Sequence, residues 1–150
     1  MTVTSPAFGT QLIGQTEKTL NAILDRLLAG TGLTEPQWVT LTLTAVSGGT
    51  LGLDQLTGRV ADTLKVDEAA ARARIGELAA ARLLATGETG QVAATDAGQA
   101  QWNEIRAAVT QITQGLWGDL PAEDLATAAR VLSTVRARAN EVLAGEVLAG

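Results

Sequence analysis

The spacing of apolar residues in the last third of the chain constrains its fold more than any other feature. Trp102, Ile105, Val109, Ile112 and Leu116 step by three, four, three and four residues. Leu125, Ala128, Leu132, Val135, Ala139 and Val142 repeat the pattern. Stepping of this kind puts one apolar seam on a helix and suits helix-to-helix packing of the coiled-coil type. It predicts helices over 96–117 and 121–144. Glu123 and Asp124, at the start of the second, suit the positive end of its dipole better than they suit a catalytic carboxylate pair. A third amphipathic helix is predicted over 8–29 from Leu12, Ile13, Leu20, Ile23, Leu24, Leu27 and Leu28, stopped by Gly30 and Gly32. The final EVLAGEVLAG repeats five residues that extend the last helix or fray, and no function is assigned to it.

Between these long helices lies a denser pattern. Thr34 starts a helix with Gln37 at the capping-box position and Pro36 in the first turn, and Gly48-Gly49 ends it. Leu53, Leu56, Val60 and Leu64 mark a short helix over 53–64. Asp67 caps a fourth over 68–82, with Ala71, Ile75, Leu78, Ala79 and Arg82 on its inward side. LLATGETGQVAAT, residues 83–95, then reads as two short strands around a Gly-Glu-Thr-Gly turn, and Thr95 caps the next helix. A hairpin after three short helices suggests the wing of a winged-helix lobe. Wing tips that lie beside phosphates normally carry arginine or lysine; this one carries Glu88.

Composition excludes several classes of function. The chain has no cysteine, no histidine and no tyrosine. Disulfides, thiolate chemistry and the commonest general base and transition-metal ligand are therefore absent. Catalysis would rest on carboxylates or on Lys18 and Lys65, so an enzyme is not expected, and neither a cofactor nor a metal is implied. Gly48-Gly49 and the Gly87–Gly90 turn lack the Lys-Ser/Thr that a phosphate loop needs. MTVTSPAFGTQ has no basic or apolar leader pattern, and no apolar run approaches a membrane span. A cytoplasmic protein of one domain is expected from 150 residues.

Three long amphipathic helices leave more apolar surface than one compact lobe can cover. A homodimer built from both chain ends is the economical solution, and a monomer folding its own ends together is the alternative.

Four segments, GLTEPQWVTLTLTAV, LTGRVADTLKVDEAAARARIGELAAARLLA, AATDAGQAQWNEIRAAV and DLPAEDLATAARVLSTVRARANEVL, resemble in order those of the MarR family of bacterial transcription regulators. The resemblance covers about residues 8 to 144. It implies a mainly α fold with a small β-hairpin: a winged helix-turn-helix lobe over 34–95, and dimerisation helices over 8–30 and 96–144. It also implies repression of nearby genes through a short pseudo-palindromic DNA site, with release by a small lipophilic or phenolic effector. Trp38 and Trp102 would line that effector's crevice; as single aromatics on apolar helix faces they also suit the core.

The chain departs from the family where DNA is touched. The wing is short and lacks arginine, and Arg82 replaces the glycine that usually precedes its first strand. At 100° per residue, the side of the fourth helix opposite Ile75 carries Ala69, Ala70, Ala73, Gly76, Glu77 and Ala80. Alanine can touch a thymine methyl, but the Arg, Asn and Gln that usually read bases are missing from that side. Arg72 and Arg74 lie on the two flanks. They can reach double-stranded DNA, pair with Glu68 and Glu77, or stand in solvent. Lys65 before the helix, with Thr89 and Gln91 on the wing, completes the candidate contact set. Over 51–98, Arg59, Lys65, Arg72, Arg74 and Arg82 face seven acids: Asp54, Asp62, Asp67, Glu68, Glu77, Glu88 and Asp96. An acidic lobe binds DNA weakly to moderately at best. Two classes therefore stand: a dimeric MarR-type repressor, or a degenerate winged-helix dimer that has exchanged DNA for a protein partner.

Overall fold

The computed structural model describes residues 6–145, so the second copy of the C-terminal repeat lies outside the described residues. Six helices and one hairpin follow in order: α1 (Thr10–Leu28), α2 (Glu35–Ser47), α3 (Leu53–Leu64), α4 (Glu68–Ala80), β1 (Leu84–Thr86), β2 (Val92–Ala94), α5 (Asp96–Trp117) and α6 (Ala122–Leu143). The chain divides into two compact units. One runs to Thr110 and holds α1 to α4, the hairpin and most of α5; the other, from Gln111, holds the end of α5 and α6.

The core of the first unit lies where α2, α3, α4 and the hairpin meet. Leu41, Leu56, Val60, Leu78 and Val92 are essentially without solvent contact, and Ile75, Leu83, Leu84, Trp102 and Ile105 extend the same cluster. Buried Thr40, Thr44 and Thr57 each return their hydroxyl to the carbonyl four residues earlier, so no polar group of theirs is stranded.

The helix starts follow the capping chemistry in the sequence. Thr34 closes a reciprocal box, its hydroxyl accepting from the Gln37 amide while Gln37 Oε1 accepts from the Thr34 amide. Asp67 accepts from the Ala70 amide at 2.8 Å. Thr95 accepts from the Gly98 amide at 3.0 Å and donates to the Arg82 carbonyl, so one hydroxyl caps α5 and anchors the wing's root.

The end of α4 differs from expectation. The helix stops at Ala80, and Ala79 and Arg82 are exposed rather than turned inward. The Leu83 amide returns to the Leu78 carbonyl and the Arg82 amide to that of Ala79. This double return is a Schellman ending, which needs a left-handed residue between the two bonds. Arg82 supplies it at φ 63°, where glycine would be unstrained. Leaving the helical path there is what lets Leu83 and Leu84 turn into the core.

The hairpin pairs Leu84 with Ala94, Ala85 with Ala93 and Thr86 with Val92, antiparallel. A third short segment joins it: Gly52 forms a bridge with Gln91, and the Val92 amide donates to the Leu51 carbonyl at 2.9 Å. The wing is thus tied to the start of α3. Gly98 seats α5 against its other side, because a Cβ there would lie 2.1 Å from the Leu83 carbonyl oxygen.

Candidate functional site

The helix-turn-helix is α3, the turn Lys65–Asp67, and α4. Lys65 makes the turn by adopting φ 57°, and the Val66 amide closes it onto the Ala61 carbonyl. On α4, Ala71, Ile75 and Leu78 are buried, which leaves Ala69, Ala73, Gly76 and Ala80 exposed and Ala70 half-buried. Glu77 is exposed as well, so the outward face is the alanine, glycine and one glutamate that the periodicity predicts.

Each cation of the expected contact set that sits on the helix-turn-helix is held by an acid. Lys65 Nζ is 3.1 Å from Asp62. Arg72 donates through Nη2 to Asp54 on α3 at 2.7 Å, not to Glu68 on its own helix. Helical spacing had made Glu68 the candidate, but the crossing of α3 over α4 brings Asp54 closer. Arg74 does pair with Glu77, Nη2 to Oε2 at 2.8 Å. Its Nε also lies 2.8 Å from Oε1 but off the line of a hydrogen bond, so the contact rests on Nη2. Gln37 completes this group by donating to Glu77 Oε1 at 2.9 Å, across forty positions of sequence. The hydrogen bond from Gln37, and then that from Arg74, hold the Glu77 carboxyl below its ordinary value of 4.5. Solvent-exposed pairs of this kind are weak and exchange readily for a phosphate.

On the wing, the Thr89 hydroxyl donates to Oε1 of Gln91, so these two side chains are engaged with each other. Glu88 stands exposed at the tip. Arg59 on α3 and Arg82 at the wing's root are exposed and take part in no ion pair among the described residues. Arg59 is the contact candidate that helical phasing of α4 alone overlooked.

Both expected effector residues lie against the core. Trp102 is 9% exposed, donates its indole N–H to the Thr42 hydroxyl at 3.1 Å, and has the Arg106 guanidinium 5.0 Å over its ring. Trp38 is half-buried against the same cluster. A cleft of about 480 Å³ opens elsewhere in this unit. Leu27, Gly30 and Thr31 form one wall, and Ala100, Gln101, Glu104, Ile105 and Ala108 on α5 form the other. Neither tryptophan lines it. The i, i+3, i+4, i+7 spacing of Gln101, Glu104, Ile105 and Ala108 places them on one helix face, which is the signal a sequence reading could have used. On α2, burial and then the charges of Glu17 and Asp25 raise the Glu35 carboxyl above 4.5.

No family model matches this chain, and no curated protein does. Solved structures do. CouR from Rhodococcus jostii RHA1, bound to p-coumaroyl-CoA, superposes with a TM-score of 0.72 at 17% identity, covering 83% of this chain and 88% of that one. Ligand-free NadR gives 0.72 at 20% identity over 90% and 98%. The Mycobacterium tuberculosis MarR-family protein Rv2887 in complex with DNA gives 0.65 at 22% identity over 87% and 98%. The chain has the winged helix-turn-helix fold of MarR-family regulators, mainly α with one hairpin.

Proposed function

We propose that this protein is a homodimeric MarR-type transcriptional repressor that holds DNA through few phosphate contacts and is released by a small-molecule effector. The observation that carries the reading is the complete lobe: α3, a three-residue turn, α4 and a wing tied to the start of α3. The fold it shares with a protein solved on DNA supports the assignment. Exposed apolar side chains on α1 (Leu12, Leu20) and on α6 (Val131, Leu132, Val135, Leu143) support a second copy as the cover for both helices.

The basic residues set the strength of binding. Lys65, Arg72 and Arg74 each must leave an acid to reach a phosphate, while Arg59 and Arg82 need not. Log affinity should fall with log salt at a slope no steeper than about −4, from roughly four phosphates at about −0.9 each. Asp54→Asn should free Arg72, strengthen binding and steepen that slope, and Glu88→Lys at the wing tip should strengthen binding to any sequence. Titration of the protein against its own upstream DNA and random DNA at two salt concentrations tests this. Absence of affinity at about 50 mM salt for wild type and for both variants overturns it.

The same ion pairs favour one other reading. An alanine-lined α4 with one glutamate, whose flanking arginines are already engaged, suits a protein partner as well as a groove. Loss of all DNA affinity in that titration would put this reading first.

A further inference from the structure

We infer that the cleft between the end of α1 and the middle of α5 takes an organic cation with an apolar body, an amine rather than an aromatic acid. The inference deepens the effector half of the reading above by naming the ligand class, and it places the site away from both tryptophans.

Glu104 is the one charged residue in the lining, and it has no ion pair or side-chain hydrogen bond among the described residues. The next cation along α5, Arg106, is drawn over the Trp102 ring instead. The polar groups beside Glu104 are mostly spent as donors. Gln101 donates its amide N–H to the Thr31 carbonyl at 3.0 Å, which leaves its Oε1 as a free acceptor. The Thr31 hydroxyl donates to the Leu28 carbonyl and accepts from the Leu33 amide. What remains for a ligand is a carboxylate and an amide oxygen, above apolar walls from Leu27 and Ile105. An ammonium group would satisfy both oxygens, whereas a carboxylate would meet Glu104 as a like charge. A cleft of about 480 Å³ is of the size that holds small ligands. Proteins of this fold have been solved with p-coumaroyl-CoA, a thioester that is anionic through its CoA phosphates, and with salicylic acid, an aromatic acid. The charge in this cleft selects the opposite class.

Calorimetric titration of the full-length protein, without DNA, with 2-(1-naphthyl)ethylamine and with 1-naphthylacetate at low salt tests the assignment. The two probes share a body and differ in charge. The amine should bind at least about tenfold tighter than the acid. Glu104→Gln should cost the amine about tenfold, and Glu104→Lys should reverse the preference. Because Glu104 is exposed, melting curves of both variants should match wild type, which separates lost binding from lost fold. Equal binding of the two probes, no saturable binding of the amine, or an amine affinity unchanged in Glu104→Gln would each overturn the proposal. The titration contains no DNA, so its failure is distinct from failure of the repressor reading.

Discussion

The lobe and α6 are both amphipathic, yet they bury their apolar faces very differently. In the lobe, Leu41, Leu56, Val60 and Leu78 are covered almost completely by neighbouring helices and the hairpin. Along α6 no residue is buried, and Leu132, Val135 and Leu143 remain 47%, 37% and 72% exposed. The seam of α5 runs from one condition to the other: Trp102 and Ile105 are buried, Val109 and Ile112 half-buried, and Leu116 exposed. Helical periodicity thus states that a face requires cover without stating what covers it. In the lobe the chain covers itself. Along α6, Leu132, Val135 and Leu143 stay exposed.

The sharpest way to break this contrast is to remove equal volumes from the two regions. Leu56→Ala should cost about 2–5 kcal/mol of unfolding free energy, because a fully buried leucine leaves a cavity. Leu132→Ala in dilute protein should cost far less, and urea titrations of both variants make the comparison. Equal losses would mean that α6 is covered after all at the concentration used.

The next effect concerns assembly. Leu132→Asp combined with Val135→Asp should turn a two-fold dimer into a monomer at micromolar concentration, with the lobe's helical circular dichroism kept. Sedimentation equilibrium reads the mass. A wild-type monomer near 15.4 kDa over that range would remove the second copy from the account.

The smallest effect lies within the lobe and is one of sign. Glu77 is held below its ordinary carboxyl value, so the stability it lends is complete above 4.5 and is lost as pH falls through its lowered value. Glu35 is raised, so its ionised form burdens the fold, and stability recovers as pH falls through that raised value. At neutral pH Glu77→Gln should therefore lower the denaturation midpoint and Glu35→Gln should raise it. Both differences from wild type should shrink once the carboxyls are protonated in acid. Midpoints measured at neutral and acidic pH check both signs, and a shift of the same sign in the two variants would refute the opposed causes.

Much of the fold was legible because local chemistry fixes it. The boundaries of α3 and α5 follow directly from apolar spacing and from the stops around them. Thr34, Asp67 and Thr95 announce helix starts through side-chain oxygens that must satisfy orphan amides within three residues. The alanine-rich face of α4, with Glu77 as its one charge, was also legible, since 100° phasing needs only the sequence. Phasing failed at Arg82 because it assumes the helix continues, and the helix ends two residues earlier than expected; Ala79 is still helical, yet exposed.

The sequence by itself determined the order of elements, the caps, the lack of histidine and cysteine chemistry, and the acidic balance of the lobe. These depend on residues near one another along the chain, or on composition alone. Only the tertiary structure decided which acid holds Arg72, that Gln37 reaches Glu77, that Gln91 joins Gly52, and that Glu104 faces a cleft while Trp102 closes the core. Each of these joins residues far apart in sequence. Their distances are set by how helices cross and not by any local propensity, so no reading of periodicity contains them.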